Sequence, residues 1–336
     1  DAIDTVKTLL IPKATVVTPN AGEAEILTGM RIRNPEDAAK AAESIASLGP
    51  EAVVVKGGHI DAGPISVDTL WFRGEITKLQ APRVESRTTH GTGCGFSAAI
   101  AAQLAWGKSI PEAVRTAHEF VHRAIRFGLP LGKGYGPVNP MVDLYNDAER
   151  YAVVSRIEAA VDVLEAHPEA AVLIPEVQSN LVMALPYAGE VADVAGIEGR
   201  IVRTERGPRA AGCPVFGASK HLANTVLAVM KHDATMRAAF NMRFTEDAVQ
   251  LCHKLGLTVS SYDRTKEPAK VKASEGRTTH WGAEEAVKAA GRVPDVIYHR
   301  GDWGKEPMIT VLGRSPQQVV GTVIKIAGEL KDASTV

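Results

Sequence analysis

Residues 14–58, ATVVTPNAGEAEILTGMRIRNPEDAAKAAESIASLGPEAVVVKGG, carry two alternating patterns. A short β-branched run, residues 14–17, meets the turn residues Thr18, Pro19 and Asn20; two Ala- and Glu-rich helical stretches follow, and a second apolar run at 52–55 ends on Lys56-Gly57-Gly58. Strand, helix and strand in this order signify parallel α/β structure, because strands covered by helices on both faces are apolar throughout. Downstream, residues 66–72 and 76–84 flank Arg73-Gly74-Glu75 and read as a β-hairpin at a sheet edge. Helices are expected at 95–106 and 110–128, the second with Pro111 in its first turn, where a missing N–H costs nothing.

The stretch GKGYGPVNP, residues 132–140, resists regular structure and ends the first domain, with the boundary near 140–147. Beyond it Val153, Ile157, Val161 and Leu164 recur at helical spacing over 147–166. Runs at 171–174, 200–203, 257–262, 295–299 and 308–312 read as strands. They alternate with helical stretches at 219–232, 245–255, 283–290 and 315–330, so the second domain is α/β as well.

Composition agrees with two such domains. The chain has 336 residues, against about 150 per globular domain, and its 45% apolar and 23% charged residues are ordinary for a folded, water-soluble protein. A net charge of −1 gives no general attraction to nucleic acid or to an anionic membrane. No apolar run approaches the roughly 18 residues of a membrane span, and no basic-then-apolar leader is visible. Three scattered cysteines, Cys94, Cys213 and Cys252, without a CxxC pair, point to a reducing cytoplasm rather than to disulfides or structural zinc. The chain opens on Asp1 in what reads as the end of a helix, as a fragment would.

His90-Gly91-Thr92-Gly93-Cys94-Gly95 precedes a helix, and glycines there let backbone N–H groups converge on an anion at the positive end of the helix dipole. Cys94, at that helix N-terminus, is placed to act as a base toward a substrate hydroxyl; the plain alternative is a tight turn with an inert cysteine. Four motifs in order, Thr18-Pro19-Asn20 with Glu23, Val55-Lys56-Gly57-Gly58-His59, His90 to Cys94, and Gly132-Lys133-Gly134 with Gly136-Pro137-Val138, resemble hydroxymethylpyrimidine phosphate kinases of the ribokinase-like superfamily. The resemblance implies that Asn20 and Glu23 organise Mg²⁺ and phosphates, with Glu23 the metal ligand. It also implies that Lys56, Gly57 and the residues to His59 lie beside the ATP, that Gly91, Thr92 and Gly93 form the anion hole, and that Cys94 is the base. Taken singly, Glu23 is a surface carboxylate and Lys56 a strand-end charge. The resemblance covers about residues 1–142 and only the latter half of such a kinase. An open sheet would expose an edge and apolar faces, so either the chain is truncated or another chain, or a second copy, completes it.

The second domain, 147–332, carries Gly217-Ala218-Ser219-Lys220-His221 ahead of a helix that Ser219 is placed to cap. Arg200, Arg203, Arg206 and Arg209 precede it. Three loops at strand ends follow: Asn241-Met242-Arg243, Ser261-Tyr262-Asp263-Arg264 with Glu267, and Gly301-Asp302-Trp303-Gly304-Lys305-Glu306. Open α/β sheets place ligands at such ends. Together these resemble the ThiN-type thiamine-phosphate synthase domain, found fused behind the pyrimidine kinase in archaeal and some bacterial proteins. That implies a three-layer α/β/α fold with a mixed sheet, pyrimidine and thiazole phosphates as substrates, Mg²⁺ at the departing pyrophosphate, and Arg200 and His221 as the functional residues. Ser219, Lys220, Asn241, Arg243, Asp263, Arg264, Lys305 and Glu306 are the further candidate contacts. The alternative weighed against it is a sensor binding thiamine phosphate without turnover, the kinase part serving as scaffold.

Overall fold

The computed structural model describes residues 2–58, 60, 63–272 and 277–333; His59 of the second kinase-like motif lies outside the described residues. The chain divides into two compact units between Asp143 and Leu144.

In the first unit α1 (Ala2–Thr5) leads through a turn of π-helix and one of 3₁₀-helix to β1 (Val16–Val17), α2 (Ala21–Thr28), α3 (Pro35–Ala46), β2 (Ala52–Val55), β3 (Ile65–Phe72), β4 (Glu75–Pro82), α4 (Thr92–Ala105) and α5 (Ile110–Arg126). The sheet order is β1-β2-β3-β4. β1 and β2 are parallel, and β3 and β4 continue antiparallel. All four residues of β2 are buried: Val53 and Val55 pack among α2 and α3, Ala52 and Val54 among α4 and α5. A strand inside a three-layer stack has no polar face, which is why AVVV reads as a continuous run. Arg73 and Gly74, at φ 51° and 85°, turn β3 into β4 in the left-handed conformation that a two-residue hairpin needs. Among the described residues β1 pairs on one side, with β2, and both its residues line an apolar concavity of about 590 Å³ with Leu10 and Ile26, which are each at least 60% exposed.

The second unit opens with α6 (Val142–Glu165) and runs through β5 (Leu181–Ala184), β6 (Val194–Ile197), β7 (Ile201–Thr204), β8 (Gly207–Ala210), β9 (Pro214–Phe216), α7 (Lys220–Met230), β10 (Ala238–Arg243), α8 (Glu246–Lys254), β11 (Val259–Ser261), α9 (Ala269–Lys272), α10 (Arg277–Ala290), β12 (Val296–His299), β13 (Met308–Gly313) and α11 (Pro316–Ala333). Seven strands form a mixed sheet in the order β11-β12-β13-β10-β5-β6-β9, parallel only between β11 and β12; β7 and β8 form a separate hairpin. α6, α8 and α11 pack on one face, α7 and α10 on the other, giving the three layers. Of residues 171–174, apolar enough to read as a strand, the first three instead belong to a 3₁₀ turn, Pro168–Leu173, opened by a proline at its N-terminus, and Ile174 caps it. The strands β5, β6, β8, β9 and β10 carry no signal that the sequence reading used. None of the described helices is long and apolar enough to cross a membrane.

Candidate functional site

In the first unit a cavity of about 750 Å³ lies at the C-terminal ends of β1 and β2. Asn20, Glu23, Lys56, Gly91, Thr92 and Gly93 all line it. Asn20 caps α2, and with Glu23 it makes a reciprocal pair: the Glu23 N–H donates to Asn20 Oδ1 (2.9 Å) and the Asn20 N–H donates to Glu23 Oε2 (2.7 Å). The parallel ladder continues as a bridge from Asn20 to Lys56, setting the two functional segments side by side. Lys56 lays its ammonium on the glycine turn, for a Cβ built on Gly93 would stand 3.1 Å from Lys56 Nζ. Gly91, at φ 87°, occupies the N-cap of α4. A positive side chain and uncapped helix amides converge there, as a phosphate requires. Gly57 is pinned beneath β3, since its Cβ would fall 1.8 Å from the Val67 carbonyl oxygen, and its N–H donates to Asp68 Oδ1 (2.8 Å).

Asp68 also pairs through Oδ2 with His118 Nδ1 on α5 (2.9 Å), and both residues line the cavity. No motif announces this pair: the partners are fifty residues apart. Cys94 is exposed on the first turn of α4 and is not among the residues lining the cavity. Among the described residues no three His, Cys, Asp or Glu side chains cluster as a metal cage. Glu23 keeps one carboxylate oxygen outside its capping bond, which fits Mg²⁺ in its usual setting of one or two carboxylates with substrate phosphates supplying the rest.

In the second unit the antiparallel pairings bring the C-terminal ends of β6, β10, β11 and β12 and the N-terminal ends of β5 and β13 to the same end of the sheet. Arg200, Asp263, Arg264, Lys305 and Glu306 follow or precede these ends, whereas Asn241, Met242 and Arg243, expected in a loop, are the last three residues of β10 itself, paired with β13. α10 starts at this end too, after β11, and its Thr279 hydroxyl donates to the His221 carbonyl (2.9 Å), so the N-terminus of α7 with Ser219, Lys220 and His221 belongs to the same place. Gly196 of β6 admits the approach: a Cβ there would be 3.3 Å from Ser219 Cβ and 3.1 Å from Asn180 Oδ1. Ser219 stands at the N-cap position, but its side chain makes no capping hydrogen bond. Arg200 adopts φ 72° and donates through Nη1 to the Val177 carbonyl.

Several expected ligand contacts hold the protein itself instead. Glu306 takes the N–H groups of Glu176 and Val177, Asn241 takes the Asn180 N–H, and Asp263 accepts from the Thr265 hydroxyl and N–H, bonds that keep its carboxyl below the usual range. Asp302 pairs with Lys272, and Glu267 accepts from the Thr278 hydroxyl. Arg243, the last residue of β10, lines a different cavity, of about 990 Å³, with Pro168, Thr245, Asp247 and Lys254. Arg209, on the β7–β8 hairpin, pairs with Glu165 at the end of α6. Lys305 and Trp303 are exposed, Trp303 to 98%. His299, not singled out in the sequence, is buried beside Tyr262 with ring centroids 5.2 Å apart. Its Nδ1 accepts from the Gly301 N–H (3.1 Å), and burial, followed by the Arg264 charge, holds its pKa at about 4. Tyr262 is pushed up to about 12 by burial.

Residues 156–325 match the model of the family described as thiamine-phosphate synthase ThiN, and residues 1–139 that of phosphomethylpyrimidine kinase. The thiamine-phosphate synthase ThiN of Methanothermobacter thermautotrophicus is 42% identical over 53% of this chain and 94% of that protein. The bifunctional thiamine biosynthesis protein ThiDN of Methanocaldococcus jannaschii is 37% identical over 70% of this chain and 54% of that protein. A crystal structure titled as the C-terminal domain of phosphomethylpyrimidine kinase matches at 41% identity with a TM-score of 0.50, over 53% of this chain and 100% of the other. The chain spans about half the length of the bifunctional and kinase relatives it matches.

Proposed function

The chain belongs to the thiamine-phosphate synthase ThiN family, with a kinase-type unit ahead of the synthase unit, and from that premise we propose that its second unit joins hydroxymethylpyrimidine diphosphate to hydroxyethylthiazole phosphate. The observation that carries this reading is the gathering of Arg200 and the α7 N-terminus at one end of the seven-stranded sheet. In the reaction the bond between the pyrimidine methylene carbon and the diphosphate oxygen breaks, its electron pair leaves with pyrophosphate, and the thiazole nitrogen attacks the resulting pyrimidinylmethyl cation. The protein has to stabilise charge growing on the departing pyrophosphate and to hold two rings in line. Arg200 spends one donor on Val177 and keeps the rest of its planar fork for phosphate oxygens. The first amides of α7, uncapped by Ser219, add donors aimed along the helix dipole, and His221 beside them contacts phosphate or fixes a ring. Mg²⁺, when bound, would neutralise pyrophosphate charge, its usual ligands being phosphate oxygens with one or two carboxylates.

For the first unit we propose that Lys56 and Gly91 to Gly93 hold the phosphates of ATP, with Glu23 offering its remaining oxygen to Mg²⁺. We propose that further polypeptide along β1 completes that site, where Leu10 and Ile26 are exposed around an apolar concavity.

The test is formation of thiamine phosphate by the purified chain from the two substrates with Mg²⁺. Arg200→Ala and His221→Ala are each expected to lower kcat by about 10²-fold with the fold intact. No thiamine phosphate from the intact chain would remove this reading, and undiminished turnover in Arg200→Ala would remove Arg200 from it.

A further inference from the structure

We infer that Glu306 is a positioning residue that orients Arg200 through the backbone of residues 176–180; this rests on the reading of Arg200 given above. Both oxygens of Glu306 are committed, one to the Glu176 N–H at 3.0 Å and one to the Val177 N–H at 3.1 Å. The carbonyl of the same Val177 receives the Arg200 guanidinium. One residue's backbone is thus gripped from both sides, by the carboxylate at its N–H and by the arginine at its C=O.

The rest of the strap is fixed as firmly. Gln178 is held at φ 67°, its carbonyl accepts from Asn241 Nδ2 (3.0 Å), and the Asn180 N–H donates to Asn241 Oδ1 (2.7 Å). Asn180 then grips Ile197 with its own side chain, donating to the carbonyl and accepting from the N–H, both at 2.8 Å. Ile197 is the last residue of β6, from which the chain turns through Gly199 into Arg200. Arg200 is a non-glycine residue at positive φ, a conformation that persists only where the surroundings enforce it. Its backbone is set through Asn180 and its guanidinium through Val177, and Glu306 anchors the open end of the strap that links them.

Glu306→Gln keeps the shape but replaces one acceptor by an NH₂ that faces an N–H. It is expected to lower kcat by roughly 10- to 100-fold, as misplacing a catalytic group does, with KM for both substrates little changed. In an Arg200→Ala background the same substitution is expected to cost almost nothing more, because the group it orients is gone. Independently of turnover, amide hydrogen exchange at Val177 and Gln178 should quicken in Glu306→Gln while the rest of the sheet stays protected. Unchanged kcat, an equal loss in the Arg200→Ala background, or unchanged exchange at these amides would each overturn the inference. A wild-type chain without turnover would instead overturn the synthase reading, an Arg200→Ala variant as active as wild type would overturn the role given to Arg200, and in either case the exchange measurement would still decide whether Glu306 holds the strap.

Discussion

His299 carries its proton poorly in the native state, and that has a direction in pH. Its folded pKa of about 4 lies below the ordinary 6.5, so the unfolded chain binds the proton first on acidification. The stability tied to a neutral His299 is complete above about pH 6.5 and is lost as the pH falls towards 4, amounting to about 3 kcal/mol at most. Urea unfolding at pH 7 and pH 4.5 should show this loss, and His299→Gln should reduce the difference. A second residue-scale prediction concerns Gly57. A methyl group there would meet the Val67 carbonyl oxygen at 1.8 Å, and backbone cannot swing aside as a side chain can. Gly57→Ala should destabilise the first unit by about 1–3 kcal/mol, as overpacking does, and should weaken nucleotide binding by displacing Lys56; calorimetry and a nucleotide titration check the two effects. Asp68 and His118, by contrast, meet only in the folded chain, and no spacing in the sequence joins them.

At the scale of elements, what could be read depended on how each element is covered. β2 and the β3–β4 hairpin were legible because one is a run of buried β-branched residues and the other is broken by a glycine turn at the required position. α5 was legible from Pro111 in its first turn. In the second unit LVMA of β5 and VAGI of β6 are four buried residues each, too short to show a period and without the alternation of a half-exposed strand. VL at 172–173 looks equally apolar, but Pro168 had already started a 3₁₀ turn. Of the candidate site, Gly199-Arg200 was picked out by resemblance and Ser219 to His221 by a glycine turn ahead of a helix, and the fold brings both to one end of the sheet. The site was not legible where a side chain serves the backbone of a distant segment: Glu306 looks like a surface carboxylate until Glu176 and Val177 are brought against it.

At the scale of the whole molecule, the order in which the second unit's sheet is assembled differs from the order in which it is read. β13 is the last of its strands in sequence, yet it lies between β12 and β10. A nascent chain that has not yet reached Met308 therefore holds two disconnected pieces, β11 with β12 and β10 with β5, β6 and β9, each with an unpaired edge. The first unit's last helix ends at Arg126, so that unit can gain its structure while the second is still being made. Ribosome-stalled chains ending before residue 308 should show protease-resistant residues in the first unit and none in the second, and resistance in the second should appear only after Met308–Gly313 emerges. For this protein the synthase chemistry becomes available late in translation, when one strand joins the two parts of its sheet.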